Sequence, residues 1–186
     1  MQSPDLSRFS AGGFDKGAGG LKIALWYFVN VLFVRSSLFP FMGWKRMWLK
    51  MFGAKIGKGL VIKNEVRIKS PWFLEVGDHV WLGEKVWIDN LDRVKIGNNV
   101  CISQGALLLT GNHDYNRTDF PYRNAPVTIE DGAWVGAEST VCPGVVVRQN
   151  AILTVGSVAT KDLEPNGIYQ GNPAVKIRER KIQPNK

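Results

Sequence analysis

From Ile56 onward every sixth residue is aliphatic, and no other feature of the chain restricts its fold as much. The series runs Ile56, Ile62, Ile68, then Val76, Leu82, Ile88, then Ile96, Ile102, Leu108, and resumes at Ile129, Val135, Val141, Val147, Leu153 and Ala159. An α-helix repeats about every 3.6 residues and a strand about every two, so neither requires a strict six. A chain wound into a triangular coil does, because each short flat side then points one residue at the axis. Repeats of this length are the signature of a parallel β-helix. A second column keeps phase with the first: Leu60, Val66, Val80, Val86, Val100, Ala106, Ala133, Ser139, Val145, Ala151 and Ser157, mostly small or β-branched. Gly, Asn and Asp recur between the columns, as in Gly57-Lys58-Gly59 and Gly97-Asn98-Asn99, and these residue types suit tight turns.

The breaks in the period are ordered. Ile68 to Val76 and Ile88 to Ile96 are steps of eight, each adding two residues after three hexads, which is one complete coil. Leu108 to Ile129 is a step of twenty-one, fifteen more than a hexad. Long excursions from a compact domain are usually functional or disordered. This one contains Thr110-Gly111-Asn112-His113, and His113 is one of only two histidines. The other, His79, occupies a turn position of its hexad and is expected to be exposed.

A length of 186 residues fits one domain with extensions. The expected organisation is a hydrophobic and basic helical extension over 1–55, an all-β solenoid of about five coils over 56–163 with a protruding loop at 109–128, and a C-terminal tail over 164–186. Each coil of such a solenoid is buried only by its neighbours, so its ends need caps. Its flat sides favour a homo-oligomer. Cys101 and Cys142 lack metal-ligand or disulfide-framework spacing, in keeping with a cytoplasmic setting. Residues 1–20 have no secretory signal pattern.

Residues 21–34 are nearly all apolar, and Pro40 is expected to stop the run; the stretch is short for a membrane span. Residues 41–52 mix Trp, Met, Leu and Phe with Lys45, Arg46 and Lys50 and read as a basic amphipathic helix. Three readings stand: a cap on the first coil or a neighbouring subunit, a peripheral membrane anchor through residues 21–52, or a true transmembrane span. The net charge of +8 comes with no nucleic-acid motif, so an anionic membrane or a polyanionic cofactor accounts for it better than nucleic acid does.

Several segments resemble the hexapeptide-repeat acyltransferases. They are Ile96-Gly-Asn-Asn-Val100, Thr110-Gly-Asn-His113, Ile129-Glu-Asp-Gly-Ala-Trp-Val-Gly-Ala137, Pro143-Gly-Val145, Gly156-Ser-Val-Ala-Thr-Lys-Asp162 and Gly171-Asn-Pro-Ala174. Within that family the chain is similar to the maltose/galactoside O-acetyltransferase group, and most similar to its colanic acid O-acetyltransferase subfamily. The resemblance covers roughly 50–180 and implies a left-handed β-helix, a homotrimer with active sites between subunits, and acetyl-CoA as donor with no metal. The acceptor it implies is a sugar hydroxyl of a surface glycan, and the aromatic-basic segment 21–52 adds the expectation that this glycan is lipid-linked.

Acetyl transfer to a hydroxyl needs a base, a donor for the developing oxyanion, and a hold on coenzyme A. His113 is the candidate base, since free imidazole titrates near pH 6.5. Asp114 is the adjacent carboxylate available to orient it. Asn112 is a candidate to hold the acceptor; by resemblance, Asp89 and Asn90 hold acceptor hydroxyls or help orient the histidine of the adjacent subunit, although Asp-Asn also simply makes turns. By resemblance, the backbone N–H of Ala137 is the oxyanion donor and Trp134 flanks the pantetheine arm. Val155, Gly156, Thr160, Lys161, Arg178 and Arg180 then line the rest of the cofactor groove. A zinc carbonic anhydrase on the same fold needs three histidine ligands, which His79 and His113 do not supply. A non-catalytic scaffold and an amino-sugar N-acetyltransferase remain the alternatives.

Overall fold

The computed structural model describes residues 3–38 and 41–183; Pro40, the expected stop signal, lies outside them. Its body is a triangular prism of stacked coils. The first side carries the parallel strands Lys55–Ile56, Leu74–Val76, Val94–Ile96, Val127–Ile129 and Val146–Val147. The third side carries Arg67–Ile68, Trp87–Asp89, Leu107–Leu109, Thr140–Val141 and Val158–Ala159. The second side runs from Val61–Ile62 through Trp81–Leu82, Cys101–Ile102, Trp134–Val135 and Ile152–Leu153 to Gly167–Gly171, and ends with the antiparallel strand Ala174–Glu179.

Register follows the hexads. Ile62 pairs with Leu82, Leu82 with Ile102, Ile102 with Val135 and Val135 with Leu153. Ile68, Ile88, Leu108, Val141 and Ala159 form the equivalent ladder on the third side. Both expected columns are buried on the axis, except that Ile56 at the open end is only half-buried.

The first coil has no coil beneath it, so its lower backbone groups need partners. The N-terminal helices α1 (Gly20–Val29) and α2 (Met42–Met51), with a π-helical turn at Asn30–Val34 after α1, supply them. Trp26 Nε1 and Asn30 Nδ2 donate to the Ile68 carbonyl, at 3.0 and 3.3 Å. Lys45 Nζ donates to the Lys63 carbonyl and to Asn64 Oδ1, both at 3.2 Å. Arg46 reaches the Leu60 carbonyl at 3.5 Å, and the Glu65 N–H donates to the Arg35 carbonyl. Lys45 is wholly buried and burial lowers its pKa. Two of the three cations in α2 thus serve the cap, leaving Lys50 exposed. The outward side of α1 and of the π-helical turn keeps an apolar stripe of Leu21, Leu25, Phe28 and Leu32, each more than half exposed. Among the described residues no helix is long and apolar enough to cross a membrane.

At the other end the segment expected as a tail instead covers the fifth coil. Arg148 N–H donates to the Leu163 carbonyl and Thr154 N–H to the Tyr169 carbonyl. The reason is the same as at the first coil: an uncovered coil would leave its outer backbone groups unpaired.

All three insertions fall at the corner joining the third side to the first side of the next coil, hereafter the third corner. A buried polar ladder seals it. Asn90 accepts from Ser70 N–H at 2.9 Å and donates to the Ser70 carbonyl at 2.6 Å. Thr110 Oγ1 donates to the Asp89 carbonyl at 3.1 Å and accepts from Asp92 N–H at 2.9 Å. Asn90 and Thr110 are fully buried. An Asn90→Ala substitution is expected to destabilise the protein by about 1–3 kcal/mol, the cost of stranding two buried backbone groups; chemical denaturation of the purified protein measures it.

Candidate active site

The excursion at the third corner is an ordered two-stranded finger. Ala125 N–H donates to the Thr110 carbonyl, Arg123 N–H to the Asn112 carbonyl, and Asp114 N–H to the Pro121 carbonyl. His113 and Tyr122 form an isolated antiparallel bridge. At the tip Arg117 grips Asp119 through two hydrogen bonds of 2.9 and 2.7 Å. Gly111 marks the exit from the prism, since a Cβ there would lie 2.9 Å from Leu91 Cδ1.

Within this finger the His113 imidazole is fixed on two counts. Its ring stacks on Phe120 and Tyr122, with centroids 4.4 and 4.9 Å away. Its Nδ1 lies 2.9 Å from the Phe120 carbonyl oxygen. A carbonyl only accepts, so Nδ1 carries a proton, and in the neutral ring the free lone pair lies on Nε2. The orienting partner is therefore a backbone carbonyl and not Asp114. The Asp114 carboxylate instead accepts from Asn116 N–H at 3.1 Å and caps its own turn.

The other expected acceptor residues separate. Asn112 Oδ1 accepts from His113 N–H at 2.8 Å, so it shapes the turn that presents the imidazole. Asn90 is consumed by Ser70 and wholly buried, which removes it from any contact with substrate. Asp89 lies at the foot of the finger, paired with Lys69 Nζ at 2.8 Å, and its Oδ2 is 3.9 Å from where a Gly111 Cβ would sit.

Ala137 belongs to the second corner, between the second and third sides. Its N–H has no hydrogen-bond partner among the described residues, and the same holds for Glu84, Gln104 and Val155 at that corner in other coils. Stacked about 4.8 Å apart where coils are adjacent, they form a column of free amide donors along the prism edge. Val155 is 70% exposed there and Gly156 N–H donates to the Ala137 carbonyl. Trp134 stands nearby on the second side, its Nε1 donating to Ser103 Oγ at 2.9 Å. An amide-rich arm fits this edge, which offers donors and an exposed indole.

Thr160 and Lys161 are exposed at the third corner, after the fifth coil, and Arg178 is exposed on the last strand. Arg180 differs from the expectation. Its guanidinium donates to the carbonyls of Gly132 and Asn150, at 2.8 and 3.2 Å, at the first corner. Through Nη1 it pins the C-terminal segment to the prism. Among the described residues no group of three His, Cys, Asp or Glu could hold a metal ion.

No family model matches the chain. It is 36% identical over 176 residues to the putative colanic acid biosynthesis acetyltransferase WcaF of Escherichia coli K12, covering 95% of this chain and 97% of that protein. It is 31% identical over 121 residues to the galactoside O-acetyltransferase of the same strain, covering 60% of each chain. Its fold matches a hexapeptide-repeat acetyltransferase of Vibrio cholerae complexed with acetyl coenzyme A, at a TM-score of 0.80 and 19% identity over 95% of this chain and 98% of that one. Galactoside acetyltransferase in complex with coenzyme A follows at 0.77 and 24%, over 96% and 92%. The prism is the left-handed β-helix of these neighbours.

The assignment of the orienting carbonyl can be checked directly. Nitrogen NMR of the neutral His113 ring is expected to report the Nδ1–H tautomer in the wild type and unchanged in Asp114→Asn. A tautomer mixture appearing only in the variant would return the role to Asp114.

Proposed function

The chain belongs to the hexapeptide-repeat acetyltransferase family, and from that membership we propose that it moves an acetyl group from acetyl-CoA to a sugar hydroxyl of a bacterial surface glycan, with His113 as general base. The observation that carries the base assignment is the imidazole held by the Phe120 carbonyl through Nδ1, which leaves Nε2 as the nitrogen available to accept a proton in the neutral ring.

The reaction then runs as a direct displacement. Nε2 takes the hydroxyl proton as the sugar oxygen attacks the thioester carbonyl carbon. The oxyanion of the tetrahedral intermediate accepts a hydrogen bond from the Ala137 N–H. Collapse breaks the carbon–sulfur bond, the departing thiolate takes the proton from Nε2, and the products are an acetylated sugar and coenzyme A. An amine acceptor would follow the same steps, but no observation on this chain favours it.

The working unit we infer is a homotrimer. His113 stands at the third corner and Ala137 at the second, the two ends of one prism side, which puts them roughly 15 Å apart for a run of about five extended residues. A base and an oxyanion donor must share one reacting carbon, so they meet only if they come from different subunits. The exposed Trp87 on the third side and Trp81 and Trp134 on the second supply apolar surface for such an interface.

The acceptor we favour is lipid-linked. The Leu21, Leu25, Phe28, Leu32 stripe and the exposed Trp44, Met47 and Met51 of α2 form an apolar surface beside Lys50, the composition of an interfacial membrane contact.

With acetyl-CoA and a panel of sugars, His113→Ala is expected to cut coenzyme A release by roughly 10²–10⁴-fold while leaving coenzyme A affinity unchanged; unaltered turnover rejects the base. The wild type is expected to co-float with vesicles of phosphatidylglycerol and phosphatidylethanolamine, and Leu25→Glu/Phe28→Glu to lose this. Equal flotation of both proteins, or of neither, rejects the membrane contact.

A further inference from the structure

Residues 3–19 form an arm that crosses from the His113 finger to the inserted corner of the second coil. Asp5 N–H donates to the Thr118 carbonyl at 2.9 Å and Ser10 N–H to the Asp119 carbonyl at 3.2 Å. Phe9 meets the His113 ring edge-on at 6.0 Å between centroids. At the far end Trp72 Nε1 donates to the Lys16 carbonyl at 2.8 Å. Two glycines with positive φ make the close approaches: a Cβ at Gly12 would lie 3.0 Å from Pro121, and one at Gly17 would overlap the Phe73 ring. The arm is thus fitted to both banks.

Beneath it lies a cleft of about 250 Å³ whose lining includes Phe14, Lys16, Ile23, Lys69, Trp72 and Tyr122, room for about one sugar ring by comparison with larger drug-sized pockets. Three aromatic rings offer the flat apolar faces on which sugar C–H groups pack. Lys22 Nζ stands 5.3 Å from the Trp72 ring centroid. Two lysines, Lys16 and Lys69, line the cleft itself, and Lys69 pairs with Asp89 at 2.8 Å. Asp15, next to the arm's Lys16, turns its carboxylate to Gly17 N–H at 2.9 Å. The Tyr122 ring is a shared wall: it meets Phe14 at 4.8 Å and stacks on His113 at 4.9 Å. Anything held in the cleft is one ring away from the imidazole.

We propose that this cleft is an acceptor subsite for a sugar ring carrying an anionic group, carboxylate or phosphate, adjoining the sugar whose hydroxyl faces His113. The N-terminal arm is its roof, and Lys16 with Lys69 reads the charge. The proposal rests on His113 as the catalytic base only for the role of the bound sugar; the binding itself is independent of it.

Ligand-observed NMR titrations of the full-length protein without acetyl-CoA test it, using glucuronate, a glucose monophosphate, glucose and inorganic phosphate. Both anionic sugars are expected to bind about tenfold more tightly than glucose, the scale of two partly exposed charge contacts, and to weaken as salt rises. The tighter of the two identifies the carboxylate or the phosphate as the group read. Lys16→Glu, a change at an exposed position, is expected to abolish the preference, Lys16→Arg to keep it, and Trp72→Ala to lose sugar binding altogether. Glucose binding as tightly as glucuronate and the phosphate ester, inorganic phosphate binding as tightly as the phosphate ester, or wild-type preference in Lys16→Glu would each overturn the proposal. Since no acetyl donor is present, unaltered turnover in His113→Ala would overturn the base assignment without touching this result.

Discussion

Each coil of this prism is completed only by the coils above and below it, for its hydrogen bonds and for the burial of its axial side chain. Two consequences follow. The stack cannot simply stop, and it cannot accept an inserted residue except between hexads. The first accounts for the N-terminal helices. The carbonyls of Leu60, Lys63 and Ile68 have no coil beneath them, and Lys45, Arg46, Trp26 and Asn30 supply the donors. A cap built from donors and large apolar rings has the same composition as a membrane-surface helix. What divides the two roles is which way each residue faces: Lys45 and Trp26 turn inward, whereas Leu25 and Phe28 turn outward.

The second consequence concentrates chemistry at one edge. Inserted residues can leave the stack only at a corner, and here all of them leave at the same one. The buried Ser70, Asn90 and Thr110 keep that corner closed while Trp72, Leu91 and the His113 finger project from it. A flexible loop would leave the imidazole free to adopt either tautomer. The finger instead pairs its two strands across Asn112 and Arg123 and offers a single carbonyl, that of Phe120, to Nδ1. Rigidity inherited from the prism is thereby passed to one nitrogen atom.

The prism was legible because its signal is periodic: Ile62 and Ile102 take their places in the core by count alone. The site was legible only in part, for separate physical reasons. Asp89-Asn90 has the same sequence signature whether it faces substrate or seals a corner, and burial decided that Asn90 seals. Asp114 was the nearest acceptor in sequence to His113, but its carboxylate closes the next turn. The true acceptor is a backbone carbonyl, which any residue at position 120 would provide and which leaves no compositional trace. Arg180 looked like a free cation because nothing in its neighbours announces that it folds back onto Gly132 and Asn150. Phe9 and Phe14 lie outside the repeat, about a hundred residues from the finger they pack against, so no spacing rule could bring them to it.

These differences divide the labour between repeat and non-repeat sequence. The column of free amides at Gln104, Ala137 and Val155 depends on turn geometry rather than on side-chain identity. A donor site built on it persists as long as the hexads do, whatever residues occupy the corner. The acceptor cleft we propose has no such backing. Phe14, Lys16, Trp72 and Tyr122 come from an arm, an inserted corner and a finger outside the axial columns, and of these only Trp72 packs against the core. Substitutions at Phe14, Lys16 or Tyr122 would change what the proposed cleft recognises while leaving the axial columns in place. A prism of this kind can keep one acetyl donor while its acceptor changes, and on the proposed reading the choice of acceptor in this chain is written where the period of six is broken.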